Sequence, residues 1–317
     1  GGRAVILRQN LERMGVANAV VLNETPARIA AALPGFFDRV LVDAPCSGEG
    51  MFRKEPQALA QHGPGLVAQC AALGSEILDA AAACLAPSGV LVYSTCTFAP
   101  EEDEGQVGAF LARHPEFELL PWPDRFGSPG EANRCGEYPF EAEKTRRIWP
   151  CQGGEGHFMA KLRKAAPEET GKTARVKPAK AAKPNAAWQA FAREYFPQLA
   201  GLPTMQLEDM VLLMPEGMPA LKLHVLRAGV LAGTVQKNRF VPAHHLFTAF
   251  GGGCTNREEL TLEDARTQAW LRGEEIEACT AHSGWCCVTV DGMPLSGGKV
   301  SGGKVKNHLP KALRKLG

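Results

Sequence analysis

The 317-residue sequence lacks a strong net charge, a long hydrophobic run and a signal-like start. Its 35 Lys and Arg nearly cancel its 34 Asp and Glu, so the formal charge is +1 and no overall field indicates a nucleic-acid partner. No stretch approaches the roughly 20 apolar residues of a membrane span. The first residues lack the charged-then-apolar pattern of a signal segment. We therefore expect a cytoplasmic protein that does not enter a membrane.

The ten cysteines lack the regular spacing of a small disulfide-rich scaffold, so we interpret them as reduced cytosolic thiols. His282 lies near Cys279, Cys286 and Cys287, which are residue types that bind zinc. Cys286 and Cys287 would instead alternate across a strand, as the sequence WCCVTV predicts. We therefore predict no metal site.

Basic residues are concentrated in two segments of the chain. Residues 161–183 have eight Lys and Arg against two Glu, and residues 296–317 have six Lys and Arg and no acid. Local basic patches are typical of proteins that bind a phosphate backbone. A solvated linker and a solvated tail explain either patch alone equally well, so both interpretations stay open at this point.

The first half of the chain alternates helical and strand patterns. Helical patterns at residues 4–14, 26–33, 66–85 and 101–113 alternate with apolar runs at residues 19–22, 37–42, 90–93 and 158–162. Runs without polar alternation are expected of strands that are covered on both faces. The order predicts an α/β domain with a mostly parallel sheet over residues 1–165. Acids open the helix at 101–113, where they would favour the positive end of its dipole.

The composition and the helix and strand patterns of the remaining residues predict smaller α+β domains. Residues 166–185 are rich in Lys, Ala, Pro and Thr, which is typical of a linker. In a domain at residues 186–253, the runs at 221–225 and 230–235 would pair as a hairpin about Gly229, and a helix would follow at 242–250. A last domain at residues 254–317 has a helix at 262–272, a strand at 285–290 and a duplicated SGGKV sequence.

Two cysteines follow two of the predicted buried strands, each in a polar turn. Because chemistry in an open α/β sheet gathers at the carboxyl ends of the strands, we expect Cys46 and Cys96 in one site. A thiolate that adds to C6 of cytosine makes C5 nucleophilic toward an activated methyl group. This chemistry needs a cysteine of lowered pKa, an acid near N3 and a second base or thiol. Asp43, Cys46 and Cys96 are of these types, although a cysteine taken at random is more often a small buried hydrophobe.

Several motifs resemble those of a known family. The sequences DAPCSGEGMFRK at residues 43–54 and YSTCTFAPEEDE at residues 93–104 closely resemble the two cysteine motifs of the Sun-type RNA cytosine-C5 methyltransferases. The sequences RIWP at 147–150 and GEGHF at 154–158 resemble the family's late strand motif, and residues 292–314 resemble the PUA-like end of the bacterial RsmF group. The resemblance implies a Rossmann-like class I methyltransferase sheet, S-adenosylmethionine as cofactor and methylation of a cytosine in small-subunit ribosomal RNA.

The resemblance also implies roles for individual residues. Cys96 matches the family's nucleophile, and Cys46 matches its resolving thiol. Asp43 matches the acid that faces a flipped target base, and Asp43 and Glu24 match cofactor contacts. The residues expected to bind RNA are Arg53, Lys54, Lys299, Lys304, Lys306 and Lys311. Nothing requires a second copy, so we expect a monomer that acts on ribosomal RNA or the small subunit.

The sequence departs from the family pattern at two places. The family's glycine-rich cofactor loop and two central strands would precede Arg3, so we expect this chain to bind S-adenosylmethionine poorly and to be inactive alone. Cys151 stands where the family usually has His, and its role stays open. Two other functions also stay open, an RNA-binding module and a structural protein in ribosome assembly. A pure binding module has no use for two thiols at strand ends.

Overall fold

The computed structural model describes residues 2–124, 126–166, 176–183, 185–237 and 239–315. The chain forms two compact units, residues 24–176 and residues 1–23 together with 177–317. We name them the central unit and the split unit. Half of the predicted linker at residues 166–185, namely residues 167–175 and 184, lies outside the described residues. Within it, Pro178 and Ala182 form isolated bridges to Pro219 and Thr204 of the split unit.

The chain forms helices and strands in both units. The split unit begins with α1 (Gly2–Arg13) and β1 (Val20–Leu22). The central unit contains α2 (Pro26–Ala32), β2 (Phe37–Asp43), α3 (Pro56–Gln61), α4 (Pro64–Cys84), β3 (Leu85–Thr95), α5 (Glu104–Arg113), β4 (Phe117–Leu119), β5 (Ser128–Pro129), β6 (Arg146–Ile148) and β7 (His157–Lys164). The split unit continues with α6 (Ala186–Tyr195), β8 (Thr204–Leu207), β9 (Met210–Leu213), β10 (Val225–Ala228), β11 (Val230–Gln236), β12 (Arg239–Pro242), α7 (His244–Phe250), β13 (Arg257–Leu260), α8 (Ala265–Arg272), β14 (Ile276–Glu277), β15 (Gly284–Val290), β16 (Met293–Ser301) and β17 (Lys304–Asn307). The predicted mixed α/β class is confirmed.

The central sheet is built around β3, which pairs in parallel with β2 and antiparallel with β7. Strands β4 and β6 both pair antiparallel with β7, and β5 extends the sheet beyond β6. Only the β2–β3 pair of this described sheet is parallel, so the prediction of a mostly parallel sheet is wrong. Parallel neighbours need a long crossover, which α3 and α4 supply between β2 and β3. The described residues between β4 and β7 contain no α-helix, and the strands there pair antiparallel.

Helix α4 packs on the central sheet through part of its surface. Leu78, Ala81 and Ala82 are buried together with Leu91 of β3 and Phe158 of β7. This 21-residue helix is apolar and long enough to cross a membrane by length and composition, so the expectation that no stretch has this character is wrong. Its many alanines raise its hydropathy, while its buried side chains belong to the core of the central unit.

Helix α5 begins at Glu104, three residues later than the helix predicted from the sequence. Glu102, Asp103 and Glu104 are buried, so they do not form a solvated acidic first turn. The hydroxyl of Tyr93 donates to the carbonyl oxygen of Glu102 at 2.7 Å, and the hydroxyl of Thr95 donates to Asp103 at 2.6 Å. Contacts from β3 therefore fix this acidic segment.

Residues 1–23 pack with the C-terminal part of the chain, whereas the sequence placed them in a domain at residues 1–165. Strand β1 pairs antiparallel with β10, and Glu12 of α1 forms an ion pair with Arg227 at 2.7 Å. The hydroxyl of Thr248 donates to the Glu12 carbonyl oxygen at 2.8 Å. Because β10 pairs with β1 and β11 pairs with β9 and β12, the predicted hairpin about Gly229 is wrong.

Two further sheets complete the split unit. Strands β12, β11, β9 and β8 form an antiparallel sheet, with Trp188 and Phe247 in the core beneath it. Strands β13, β15, β16, β17 and β14 form the second sheet over the buried Trp270. Cys287 belongs to the first core and Cys286 to the second, which agrees with alternation along β15. The described residues hold no group of three His, Cys, Asp or Glu side chains arranged for a metal ion.

Candidate functional site

Two cysteines meet just beyond the carboxyl ends of β2 and β3. The strands are parallel neighbours with Asp43 opposite Ser94, so the loops that follow them leave the sheet at the same edge. The Sγ atoms of Cys46 and Cys96 lie 3.3 Å apart. The backbone N–H of Cys96 also donates to Cys46 Sγ at 3.3 Å. The structure thus brings together the two thiols that the sequence placed at strand ends.

The two thiols have opposite acid strengths. The hydrogen bond from Cys46 lowers the pKa of Cys96 to about 7, although burial and the charge of Asp43 oppose this shift. The same hydrogen bond, followed by burial, raises the pKa of Cys46. These pKa directions favour Cys96 as the thiolate of the pair and Cys46 as the S–H donor. A thiolate of lowered pKa in a half-exposed position is a reactive nucleophile.

The Cys46 loop turns tightly enough that glycine is needed at two positions. Gly48 has a φ of +72°, which is the left-handed region. The N–H of Gly50 donates to the Cys96 carbonyl oxygen at 2.9 Å, and a Cβ at this position would lie 2.9 Å from that oxygen and from the Gly156 oxygen. The glycines of the first cysteine motif therefore allow the two cysteine loops to touch through their backbones.

Two carboxylates that sequence reasoning missed connect the cysteine loops. Glu102 is 2% exposed and accepts the backbone N–H of Ser47 at 2.8 Å; its other oxygen contacts the Ser47 hydroxyl. The Ser47 and Thr97 hydroxyls are 2.8 Å apart. Glu49 accepts the Thr97 hydroxyl at 3.1 Å and the Phe98 N–H at 2.9 Å. Glu49 lies inside the first cysteine motif and Glu102 inside the second. Their place in these motifs is the sequence signal that could have identified them.

Arg147 joins the late strand motif to the second cysteine motif. It is 1% exposed, and its guanidinium lies 2.9 Å from Asp103 and in direct contact with Glu104. The rings of Trp149 and Phe158 flank the guanidinium carbon at 5.3 Å. Burial raises the pKa of Asp103 well above its ordinary value, although the charge of Arg147 opposes the rise. Arg147 is therefore the counter-ion of the acidic segment that follows Cys96.

The two residues predicted to contact a cofactor lie in different surroundings. Asp43 is exposed at the end of β2 and lines an open concavity of about 450 Å³, whose walls include Ile29, Val40 and Leu41. The carboxylate of Glu24 forms an ion pair with Arg28 at 2.9 Å, and Glu24 is not among the lining residues. A carboxylate beside an apolar wall suits a ligand that has both hydroxyl or amino groups and a planar ring.

Arg53 and Lys54, which the sequence predicts to bind RNA, are exposed but share an acidic partner. Both pair with Glu155, at 3.3 Å and 3.4 Å respectively. Arg53 also donates to the Gly154 carbonyl oxygen at 3.1 Å. Their charges are therefore partly offset within the central unit.

The lysines of the C-terminal sheet lie on neighbouring strands. Trp285, Lys299 and Lys306 are directly opposite one another on β15, β16 and β17, and Lys299 Nζ lies 5.5 Å from the centre of a Trp285 ring. Lys304 lies on the same face as Lys306 and is 4.0 Å from Glu277. All of these lysines are exposed, as is Lys311 in the following 3₁₀ turn.

Comparison with known proteins identifies the family. Residues 1–163, slightly more than half of the chain, match the family described as 16S rRNA methyltransferase RsmB/F. The chain belongs to this RsmB/F family. Residues 190–250 match the RsmF rRNA methyltransferase first C-terminal domain, and residues 257–315 match the methyltransferase RsmF PUA domain. These matches cover most of both halves of the chain.

Two curated relatives agree with this RsmB/F assignment. The chain is 33% identical over 326 residues to the ribosomal RNA small subunit methyltransferase F of Klebsiella pneumoniae, and 32% identical over 323 residues to that of Cronobacter sakazakii. Each match covers 98% of this chain, which spans 66% of the length of these curated relatives. A solved methyltransferase homolog protein from Pyrococcus horikoshii is 32% identical, with a TM-score of 0.43 over 51% of this chain and 50% of that one.

Proposed function

We propose that this RsmB/F family chain is the catalytic part of a cytoplasmic enzyme that transfers a methyl group from S-adenosylmethionine to C5 of a cytosine in small-subunit ribosomal RNA. The observation that carries the proposal is the thiol pair, with Cys96 Sγ 3.3 Å from Cys46 Sγ and the pKa of Cys96 lowered to about 7 by that contact. The names of the relatives, ribosomal RNA small subunit methyltransferase F, support the substrate class.

The first half of the reaction uses Cys96 and Asp43. The Cys96 thiolate attacks C6 of the cytosine, and the C5=C6 electron pair moves to C5 while Asp43 holds a proton at N3. When bound, S-adenosylmethionine supplies an electrophilic methyl group with a neutral thioether as leaving group. The electron pair at C5 forms the new carbon–carbon bond. The base reaches Cys96 by leaving its stack, because C6 is inaccessible within a helix.

The second half of the reaction uses Cys46. Once Cys96 is bonded to C6 it is no longer an anion, so the partner that held the Cys46 proton is lost and Cys46 ionises more readily, releasing its proton to solvent. The Cys46 thiolate then accepts the C5 proton and the C5=C6 bond forms again. The C6–S bond breaks with its electrons returning to Cys96, and the proton at N3 returns to Asp43. The products are methylated RNA, a Cys46 thiol and a Cys96 thiolate, which is the starting state of the pair.

The residues around the thiols fit the proposed ligands. Asp43 lines the concavity beside β2, where its carboxylate would accept hydrogen bonds from a hydroxyl or amino group and the apolar wall would contact an adenine ring. We assign the adenine-side contact to Glu24, which would share its carboxylate with Arg28. Arg53, Lys54 and the C-terminal lysines would contact phosphates, which position RNA without reading its sequence. One copy of the chain supplies all of these groups, so we propose a monomer.

The test is methyl transfer from labelled S-adenosylmethionine to unmodified small-subunit RNA and to assembled subunits. This chain is assayed beside a longer form that spans the full length of its relatives. We expect transfer by the longer form only. In the longer form we expect no transfer by Cys96→Ala, and a covalent protein–RNA adduct that survives denaturation with Cys46→Ala. Cys70→Ala, which removes another half-buried thiol of the central unit, is the control and keeps full transfer. Transfer by Cys96→Ala, or normal product release by Cys46→Ala, would overturn the assigned roles.

A second candidate function is RNA binding without catalysis. The match of residues 257–315 to the RsmF PUA domain favours an RNA contact under either function. The same assay separates the two, because a binding module would retain RNA but transfer no methyl group in either form of the chain, on free RNA or on assembled subunits.

A further inference from the structure

We propose that Glu102 and Glu49 are positioning residues that hold the Cys46 thiol against Cys96 and thereby keep Cys96 ionised. The inference rests on the proposed roles of the two cysteines and adds residues to them. It concerns how the two cysteine loops are held together, since neither strand pairing nor a disulfide joins the residues beyond Asp43 and Thr95.

Each cysteine loop supplies a carboxylate to the other. Glu102, six residues after Cys96, holds the backbone N–H and the hydroxyl of Ser47, the residue next to Cys46. Glu49, three residues after Cys46, holds the hydroxyl of Thr97 and the N–H of Phe98, the two residues next to Cys96. This reciprocal arrangement holds each cysteine loop to the other through the residues that directly follow Cys46 and Cys96.

The hydrogen atoms available in this cluster indicate the state of Glu102. Three oxygen–oxygen contacts run from Glu102 through Ser47 and Thr97 to Glu49, but the two hydroxyls supply only two hydrogens. With both hydroxyls donating to the carboxylates, the Ser47–Thr97 contact has no hydrogen. A proton on Glu102 would supply it, with the carboxyl donating to Ser47, Ser47 to Thr97, and Thr97 to Glu49. Glu102 is the more buried of the two acids, and burial raises its pKa. Glutamine offers one acceptor oxygen and a donor in place of the carboxyl O–H of a protonated Glu102, with one further N–H.

In this proposal the two acids keep Cys96 ionised by holding Cys46 in position beside it. The hydrogen bond from Cys46 is the largest influence that lowers the pKa of Cys96, and the charge of Glu102 itself acts in the opposite direction. Removing the carboxyl of Glu102 should therefore lower the Cys96 pKa if the charge of an ionised Glu102 decides, leave it unchanged if Glu102 is protonated and has no positioning role, and raise it if position decides. Only the positioning role predicts a rise, so one measurement separates it from the others.

The experiment measures alkylation of Cys96 by iodoacetamide against pH in this chain, with the Cys96 peptide quantified by mass spectrometry. In Glu102→Ala and Glu49→Ala we expect the midpoint to rise toward the ordinary thiol value of about 8.5, which slows alkylation at pH 7 by up to about fifteen-fold and leaves the rate well above the midpoint unchanged. Glu102→Gln should keep the wild-type midpoint. Glu101→Ala, at the exposed neighbouring acid, is the matched control.

A second background tests whether the effect passes through Cys46. In Cys46→Ala the Cys96 midpoint should already be near 8.5, and adding Glu102→Ala should not move it further. An unchanged or lowered midpoint in both alanine variants, or an equal shift with and without Cys46, would overturn the proposal. If Glu102→Ala fails to fold by circular dichroism, Glu49→Ala carries the test, because Glu49 is partly exposed.

The outcome is independent of the proposed reaction. Alkylation needs neither RNA nor cofactor, so a failure of the positioning role leaves methyl transfer through Cys96 intact. Conversely, methyl transfer by Cys96→Ala would overturn the reaction and leave the alkylation results as they stand.

Discussion

The substitution Arg147→Met would remove a buried cation from between two buried carboxylates. Arg147 is 1% exposed, and its partners Asp103 and Glu104 are 0% exposed. Methionine fills part of the same space but leaves both carboxylates without this counter-ion. Because removing one partner of a buried ion pair typically costs about 3–5 kcal/mol, we expect a loss of that size in the free energy of unfolding of the central unit.

The size of this loss should depend on pH with a definite sign. Burial already raises the pKa of Asp103 above its ordinary value, and the charge of Arg147 opposes that rise. Without Arg147 the pKa rises further, so above the ordinary Asp pKa the native state binds more protons than the unfolded state. Stability then falls as pH rises. We expect the variant to be affected less at about pH 5 than at about pH 8.

The assay is urea unfolding followed by tryptophan fluorescence, with Trp149 beside the substituted residue as a reporter. Arg163→Met is the matched control, because the Arg163–Glu118 ion pair of 2.6 Å is exposed and its loss should cost about 0–1 kcal/mol. The reasoning is refuted if Arg147→Met loses no more stability than the control, or if its loss is larger at the lower pH.

Three further predictions concern other parts of the chain. The substitutions Lys299→Ala and Lys306→Ala together should reduce the slope of log RNA affinity against log salt by up to about 2, measured by filter binding; a slope that stays the same removes these lysines from the RNA surface. Gly50→Ala should slow Cys96 alkylation at neutral pH, because its Cβ would lie 2.9 Å from the Cys96 carbonyl oxygen; wild-type reactivity would contradict this. Burial acts to raise the pKa of Glu258, but hydrogen bonds from backbone N–H groups and an arginine outweigh burial and lower it. The contribution of Glu258 to stability is therefore present above the ordinary Glu pKa and is lost as the pH falls through the lowered pKa. In Glu258→Gln this loss of stability on acidification should be absent. An acid unfolding profile equal to that of the unsubstituted chain would contradict the prediction.

The sequence by itself determined the parts of this protein that depend on local pattern. Apolar runs followed by polar turns were enough to find β2, β3 and the cysteines that follow them. The expectation that both strands are covered on both faces is wrong for β2, which lies at the edge of the described sheet with Leu41 72% exposed. The turn residues and the two cysteine motifs were enough to place both thiols at strand ends. The family assignment is confirmed, since the same motifs lie within the part of the chain that matches the RsmB/F family.

Only the tertiary structure decided which residues meet across long sequence separations. A strand as short as β1 has the same local pattern whichever strand it pairs with, so the sequence did not indicate β10 as its partner. In the structure β1 pairs with β10, and α1 contacts α7 through Glu12 and Thr248. The acids after Cys96 look like a solvated helix start in sequence. They are buried because Ser47 and Arg147, respectively 55 and 43 residues away from their partners, satisfy them. Burial and pairing set the charge of a site, and both depend on neighbours that the local sequence does not contain.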